Sequence, residues 1–392
     1  MKYKNILFII GKYPNIGGTE KITTVLANYF ATIGCNVFIS SFIQPRMDLI
    51  RELDDRIKFI KLKNPVNSKN NLNILHELLQ CESINLIINQ FCLPYYTTRL
   101  LIKARKGLNC KIISVLHGVP DNSQIVIRVK EKIDTSSGLI KKVIAQCVLY
   151  TVEKIIKASI KYVYNNTDAY VVLSKGFIDS FKNYIGIQDS KKLYAISNPI
   201  TISTDYSVRY SEHKKKQILY VGRMAKENKR VNRIIEAWEE IAKDYPDWNL
   251  KLVGGGPQLL ELQDYVIKND IPNVSFTGFV QEEPIKFYKE SSILMLTSDL
   301  EGFGLVVVEG MAYGVVPVVY GGYASIYEII NEGKSGFITP YPYSKKYTVE
   351  KLRELIENPD RLYEMSIAAQ DDSKRFSLGK IVEQWGNLIN GI

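Results

Sequence analysis

The sequence predicts an α/β protein of two Rossmann-like, doubly wound domains facing each other across a cleft. Three observations lead there. The chain has 392 residues, too many for one ordinary core and suited to two domains of about 150–200 residues each. Short β-branched runs alternate with helical patterns, the signature of βαβ units on a parallel sheet. The alternation also restarts once, after the polar stretch Thr201–Lys216.

In the first series Asn5–Ile10 reads as a buried strand. A glycine-containing loop follows, and then Ile22, Val25, Leu26, Tyr29, Phe30 and Ile33 recur at helical spacing. Further strands are expected at Val37–Ser41, Ile57–Leu62, Ile84–Asn89, Lys111–Leu116 and Ala169–Leu173. The second series offers Gln217–Gly222, Leu250–Val253, Val274–Thr277, Ile293–Thr297 and Val315–Val319. Between its first two strands, Val231, Ile234, Ile235, Trp238 and Ile241 line one face of a helix. The expected boundaries are residues 1–200 and 201–378. The last helical pattern, about 379–392 with Ile381 to Ile389 at its centre, has no strand after it and is expected to pack back on the first domain. In such sheets ligands lie beyond the carboxyl ends of the strands.

Composition narrows the class. With 46% hydrophobic and 23% charged residues the chain is globular rather than disordered. The five cysteines (Cys35, Cys81, Cys92, Cys110, Cys147) form no Cys-x-x-Cys pair, which argues for reduced thiols and against a disulfide framework or zinc site. The start carries only the short apolar run Ile6–Ile10, and no apolar run approaches a membrane span. A cytoplasmic location is expected.

Charge is unevenly placed. Residues 1–198 hold 28 Lys and Arg against 14 Asp and Glu, whereas the remainder holds 23 against 27. A basic first half attracts anionic surfaces. Within it, Gln124–Val163 carries Arg128, Lys130, Lys132, Lys141, Lys142, Lys154, Lys157 and Lys161 against Glu131, Asp134 and Glu153. One reading is solvated helices on a core. The other is an interfacial surface for anionic lipid, where each basic residue contributes roughly 1 kcal/mol.

The segment from Thr297 to Val319 carries the most chemistry. It reads as strand, glycine-punctuated loop, short helix and strand. Glu301 falls just past the strand. Gly302 and Gly304 leave backbone N–H groups at the helix start open to a phosphate or sugar. Glu309, inside the helix, can accept hydrogen bonds from ribose hydroxyls. Nothing nearby supplies further oxygen ligands, so the pair suits hydroxyl recognition rather than a metal.

This segment resembles the Glu-x7-Glu signature of the retaining GT-B glycosyltransferases grouped as family 4. The resemblance extends along most of the chain. Tyr220-Val-Gly-Arg-Met-Ala-Lys-Glu-Asn-Lys229 is similar to the family's Gly-Arg…Lys loop, and Val253-Gly-Gly-Gly-Pro257 to its Gly-x-Gly-Pro turn. Phe276-Thr-Gly-Phe-Val280 resembles the strand and loop that hold the nucleobase. In the first half, Gly17-Gly18 and His117-Gly118 fall where the family has its glycine loop and active-site histidine.

The resemblance implies the GT-B fold and a retaining hexosyltransferase that uses a nucleotide-diphosphate sugar, by family frequency a uridine one, as co-substrate with no other cofactor. It implies donor contacts at Gly17, Gly18, Gly222, Arg223, Lys229, Gly255, Phe279, Val280, Glu301, Gly302, Phe303, Gly304, Leu305 and Glu309. His117, Arg223, Lys229 and Glu301 take the catalytic roles. His117 would meet the donor sugar and stabilise oxocarbenium character through a backbone carbonyl. Arg223 and Lys229 would hold the diphosphate as negative charge grows on it. Lys226, Lys229 and Arg230 crowd that loop, which leaves the lysine's partner open. Chain order places an acceptor-side domain first and a donor domain second. The expected acceptor is a saccharide, lipid-linked as in surface-polysaccharide or lipopolysaccharide assembly, reached by a peripheral enzyme on an anionic membrane.

Other classes fit less well. There is no Asp-x-Asp triplet, and His76, His117 and His213 are far apart, so no metal site is indicated. A nicotinamide dinucleotide site needs Gly-x-Gly-x-x-Gly after the first strand, and Gly11, Gly17 and Gly18 do not give it. Nucleic-acid binding would use the basic half, yet no recognition motif accompanies it. A nucleotide-sugar epimerase would convert donor without acceptor. A catalytically silent partner subunit would have lost Arg223, Glu301 or Glu309, and all three are present.

Overall fold

Ile6–Ile10 are buried on both faces of their strand, as a central parallel strand requires, and the first sheet grows around them. In the computed structural model, residues 2–93, 95–135, 138–210 and 214–392 are described. His213, and the side chains of Arg128, Glu131, Lys132 and Asp134, lie outside the described residues. The chain divides into two compact units: residues 1–121, 129–201 and 378–392 form the first, and residues 122–128 with 202–377 the second.

The first unit runs β1 (Asn5–Lys12), α1 (Gly18–Thr32), β2 (Asn36–Ile43), β3 (Lys58–Lys61), α2 (Lys69–Cys81), β4 (Leu86–Asn89) and α3 (Tyr95–Ala104). It continues through β5 (Lys111–Leu116), α4 (Gln124–Thr135), whose residues 124–128 belong to the second unit, α5 (Leu139–Asn166), β6 (Ala169–Val172), α6 (Gly176–Ile185) and β7 (Leu193–Ala195). All its strands are parallel, in the order β3-β2-β1-β4-β5-β6-β7. The order reverses between β1 and β4, which opens a crevice at their carboxyl ends.

The second unit runs β8 (Lys215–Val221), α7 (Val231–Glu239), β9 (Asn249–Val253), α8 (Leu259–Lys268), β10 (Val274–Gly278), α9 (Ile285–Glu290) and β11 (Ser291–Leu296). Then come α10 (Leu305–Ala312), β12 (Val316–Tyr320), α11 (Ile326–Ile329), β13 (Phe337–Thr339), α12 (Lys345–Glu357) and α13 (Pro359–Ser373). Its parallel order is β10-β9-β8-β11-β12-β13, reversing between β8 and β11. Val231, Ile234, Ile235, Trp238 and Ile241 are all fully buried beneath α7, and the Trp238 indole donates to the Pro272 carbonyl at 2.9 Å.

The final helix, α14 (Leu378–Gly391), belongs to the first unit. It buries Ile381, Val382, Trp385, Leu388 and Ile389, and Tyr3 and Lys2 hydrogen-bond its end at Ile392 and Asn390. Two strands lie beyond the sequence pattern, β7 and β13. Each has three residues at a sheet edge, too short to display a period. One helix position also differs. Ile33 is 47% exposed, because α1 closes at Thr32 and Ile33 lies in its cap. Among the described residues no helix is long and apolar enough to cross a membrane.

Candidate active site

The reversal between β8 and β11 is where the second unit's polar side chains gather. After β8 the chain turns sharply, and its loop is laced to the loop after β9. Gly222 N–H donates to Val253 O at 3.0 Å and Met224 N–H to Gly255 O at 2.8 Å. Gly254 makes this approach possible: its φ is +130°, and a Cβ there would fall 2.0 Å from the Gly222 carbonyl oxygen. Arg223 projects exposed from the loop, and its carbonyl accepts the Tyr220 hydroxyl at 2.9 Å. A concavity beside it is lined by Arg223, Ala225, Asn228, Lys229 and Pro257.

The three crowded basic residues diverge. Lys226 is exposed and pairs with Glu261 at 3.5 Å. Lys229 turns inward and forms an ion pair with Glu301, both side chains mostly buried (22% and 15% exposed). Arg230 pairs with Asp299 at 2.6 Å. Lys229 and Glu301, assigned separately from sequence, therefore neutralise one another in the free protein, bridging the ends of β8 and β11.

A network that sequence reasoning missed supports this bridge. Arg233 on α7 donates to Asp299 at 2.6 Å and to the Thr297 carbonyl at 3.1 Å. Its guanidinium lies 5.0 Å from the Tyr320 ring centre and 4.7 Å from that of Tyr343. The Thr297 hydroxyl donates to the Arg230 carbonyl at 2.9 Å, and Asp299 N–H to Asn228 O at 2.8 Å. Arg230 is held at φ +50°, an unusual conformation for a side chain of this size that these bonds enforce. An Arg at i+3 from Arg230 was the available signal.

The Gly302-Phe303-Gly304 loop leads into α10. Gly304 adopts φ +96° as the N-cap, and among the described residues no side chain caps the helix. Phe303 points into the core, packed edge-on against Phe376 at 5.5 Å, so only its backbone faces the loop. Leu305 is half-buried at the first helical position. Glu309 is 5% exposed and accepts the Tyr288 hydroxyl at 3.2 Å. The α10 face that carries Glu309 turns inward. Burial, and then the Glu309 charge, raise the Tyr288 phenol well above its ordinary range. Gly255 is half-buried beside Phe279, which is 63% exposed, and Val280 follows half-buried.

In the first unit, Gly17 and Gly18 are exposed at the start of α1, just past β1. Among the described residues no side chain caps the helix, although the Glu20 carboxylate folds over Gly17, 2.3 Å from where a Cβ would sit. His117 follows β5. Its Nε2 is hydrogen-bonded to Gln90 Oε1 at the end of β4, so that nitrogen carries the proton. Gln90 N–H in turn donates to Ile9 O at 2.8 Å, tying the histidine to the β1–β4 reversal. Desolvation lowers the His117 pKa to about 4. The Gln90 Nε2 is buried without a partner among the described residues. Gln90 was not foreseen; a lone glutamine ending an apolar strand gives no pattern.

Among the described residues no group of three or more His, Cys, Asp or Glu could hold a metal ion.

Residues 205–372 match the family described as glycosyl transferases group 1. A glycosyltransferase of Haemophilus influenzae is 30% identical over 209 residues, 51% of this chain and 56% of that protein. That match spans little more than half the relative's length. The N-acetyl-α-D-glucosaminyl L-malate synthase of Bacillus anthracis is 25% identical over 83% of this chain and 81% of its own. The crystal structure of Anabaena HepE in complex with UDP-glucose superposes with a TM-score of 0.73 at 17% identity, over 99% of this chain and 100% of that one. The fold is the two-domain GT-B fold.

Proposed function

We propose that the chain is a group 1 glycosyltransferase, the family that residues 205–372 match, and that it moves a hexose or N-acetylhexosamine from a UDP-sugar to a saccharide acceptor with retention of configuration. The observation that carries this is the pairing of Lys229 with Glu301 across the β8–β11 reversal, beside exposed Arg223 and the uncapped start of α10. A diphosphate there would draw on Lys229 and Arg223 for charge-assisted hydrogen bonds and on the α10 N–H groups for the helix-terminal field. Glu301 would face sugar hydroxyls and Glu309 the ribose, while Gly222, Gly255, Phe279 and Val280 would meet the base. In the reaction the bond from the anomeric carbon to the diphosphate breaks, and the acceptor oxygen takes its place on the same face. The acceptor's proton passes to the departing phosphate oxygen. The family resemblance gives Gly17, Gly18 and His117 donor roles as well; the first unit holds them at the start of α1 and just after β5.

On this reading residues 201–378 would serve as the donor domain, and residues 1–200 with the final helix as the acceptor-side domain. A lipid-linked acceptor and a peripheral, cytoplasmic site of action suit the first domain. Along α5, Ile140, Val143, Ile144, Val148 and Ile155 are all exposed beside Lys141, Lys142 and Lys154, the mixture that an anionic membrane surface receives.

Thermal-shift screening of nucleotide sugars tests the donor, since a bound ligand stabilises the fold by mass action. A UDP-sugar should raise Tm in wild type and fail to do so in Arg223→Ala. Equal shifts in both would remove the assignment.

A further inference from the structure

Tyr323 stands in the loop after β12 and is 5% exposed. Its hydroxyl is buried, and among the described residues it has no hydrogen-bond partner. Buried hydroxyls are rarely left this way, because the donor lost its bonds to water on folding. The hydroxyl is not aimed at random. A Cβ on Gly304 would come 3.1 Å from it, so the oxygen lies directly over the N-cap of α10. That cap is three residues beyond Glu301 in the same loop. The loop bearing Tyr323 is also fixed to this one, since the Ser325 hydroxyl donates to the Phe303 carbonyl at 3.0 Å. The Glu301 carboxylate is near enough to help raise the Tyr323 phenol well above its ordinary range, after burial itself.

Among the described residues Lys229 is the cation paired with Glu301, and the proposed function gives that lysine to the donor diphosphate. A mostly buried carboxylate abandoned by its cation carries a large desolvation penalty unless another donor replaces it. Resting on that reading, we propose that Tyr323 is a positioning residue that takes over Glu301 when Lys229 turns to the diphosphate, holding the carboxylate toward the donor sugar. The free protein keeps the hydroxyl idle, and the bound protein uses it.

The test is a cycle of four proteins: wild type, Tyr323→Phe, Lys229→Ala and the double variant. Denaturant midpoints are read without ligand, and UDP affinity by calorimetry. In wild type the phenylalanine should leave stability unchanged or raise it. In Lys229→Ala, where Glu301 already needs the phenol, the same change should destabilise. With Lys229 intact, Tyr323→Phe should weaken UDP by roughly tenfold. It should also lower kcat more than it raises KM for the sugar donor, because Glu301 would be misplaced on the sugar. Equal stability effects in both backgrounds overturn the proposal, since the hydroxyl would then answer to something other than Glu301. Unchanged UDP affinity overturns it too. If wild type itself fails to bind UDP, the donor reading falls first and the proposal with it.

Discussion

At the scale of single residues, burial favours the neutral form of His117. Its folded pKa of about 4 lies below the ordinary value of 6.5, so the unfolded chain takes up the proton first as pH falls. Stability contributed by the neutral ring is therefore present above about pH 6.5 and lost progressively toward pH 4, to the extent of roughly 2–3 kcal/mol. The urea midpoint of wild type should fall through that window, and that of His117→Asn should fall less. Parallel curves would contradict the assignment. A second prediction separates the two donor residues. Arg223→Ala should abolish transfer at no measurable cost in stability, because the side chain is exposed. Glu309→Ala should abolish transfer and also cost about 1–3 kcal/mol, because the Tyr288 hydroxyl then loses its acceptor. Near-normal turnover in either variant would falsify its donor contact. The contrast shows where sequence reasoning runs out: the spacing of Glu301 and Glu309 could be read, whereas the inward turn of Glu309 and of Phe303 depends on which face of α10 and its loop meets the core. Lys229's choice of Glu301 over other acids was likewise invisible, because the two are 72 residues apart.

At the scale of elements, the buried strands were legible because parallel strands covered on both faces are unbroken runs of Ile, Val and Leu. Helix α7 was legible from its apolar stripe. The edge strands β7 and β13 were not, since their pairing is decided by a neighbour rather than by their own three residues. The glycine turn after β9 illustrates what the sequence does announce. Gly254 has a backbone conformation open to glycine, and its close approach to Gly222 leaves no room for a methyl group. Gly254→Ala should destabilise by about 2–4 kcal/mol and separate the β8 and β9 loops, so that Arg223 loses its place. Chemical denaturation and UDP titration should both register it; a variant of wild-type stability would mean the loops are free to part.

At the scale of the whole molecule, uneven charge was plain in the sequence, and the structure adds that α5 exposes large apolar side chains among its lysines. Flotation with vesicles should recover the protein with anionic lipid at low salt and release it as salt rises. Indifference to lipid charge would leave the basic half without a membrane role. On the proposed function, the second unit would grip a sugar nucleotide at the β8–β11 reversal, with Lys229 exchanging its carboxylate partner for a diphosphate. Calorimetric titration of UDP into wild type and Lys229→Ala tests this most directly. Saturable binding to wild type that weakens by at least about tenfold in the variant is the predicted result. Equal affinity in the two, or no binding to wild type, would contradict it.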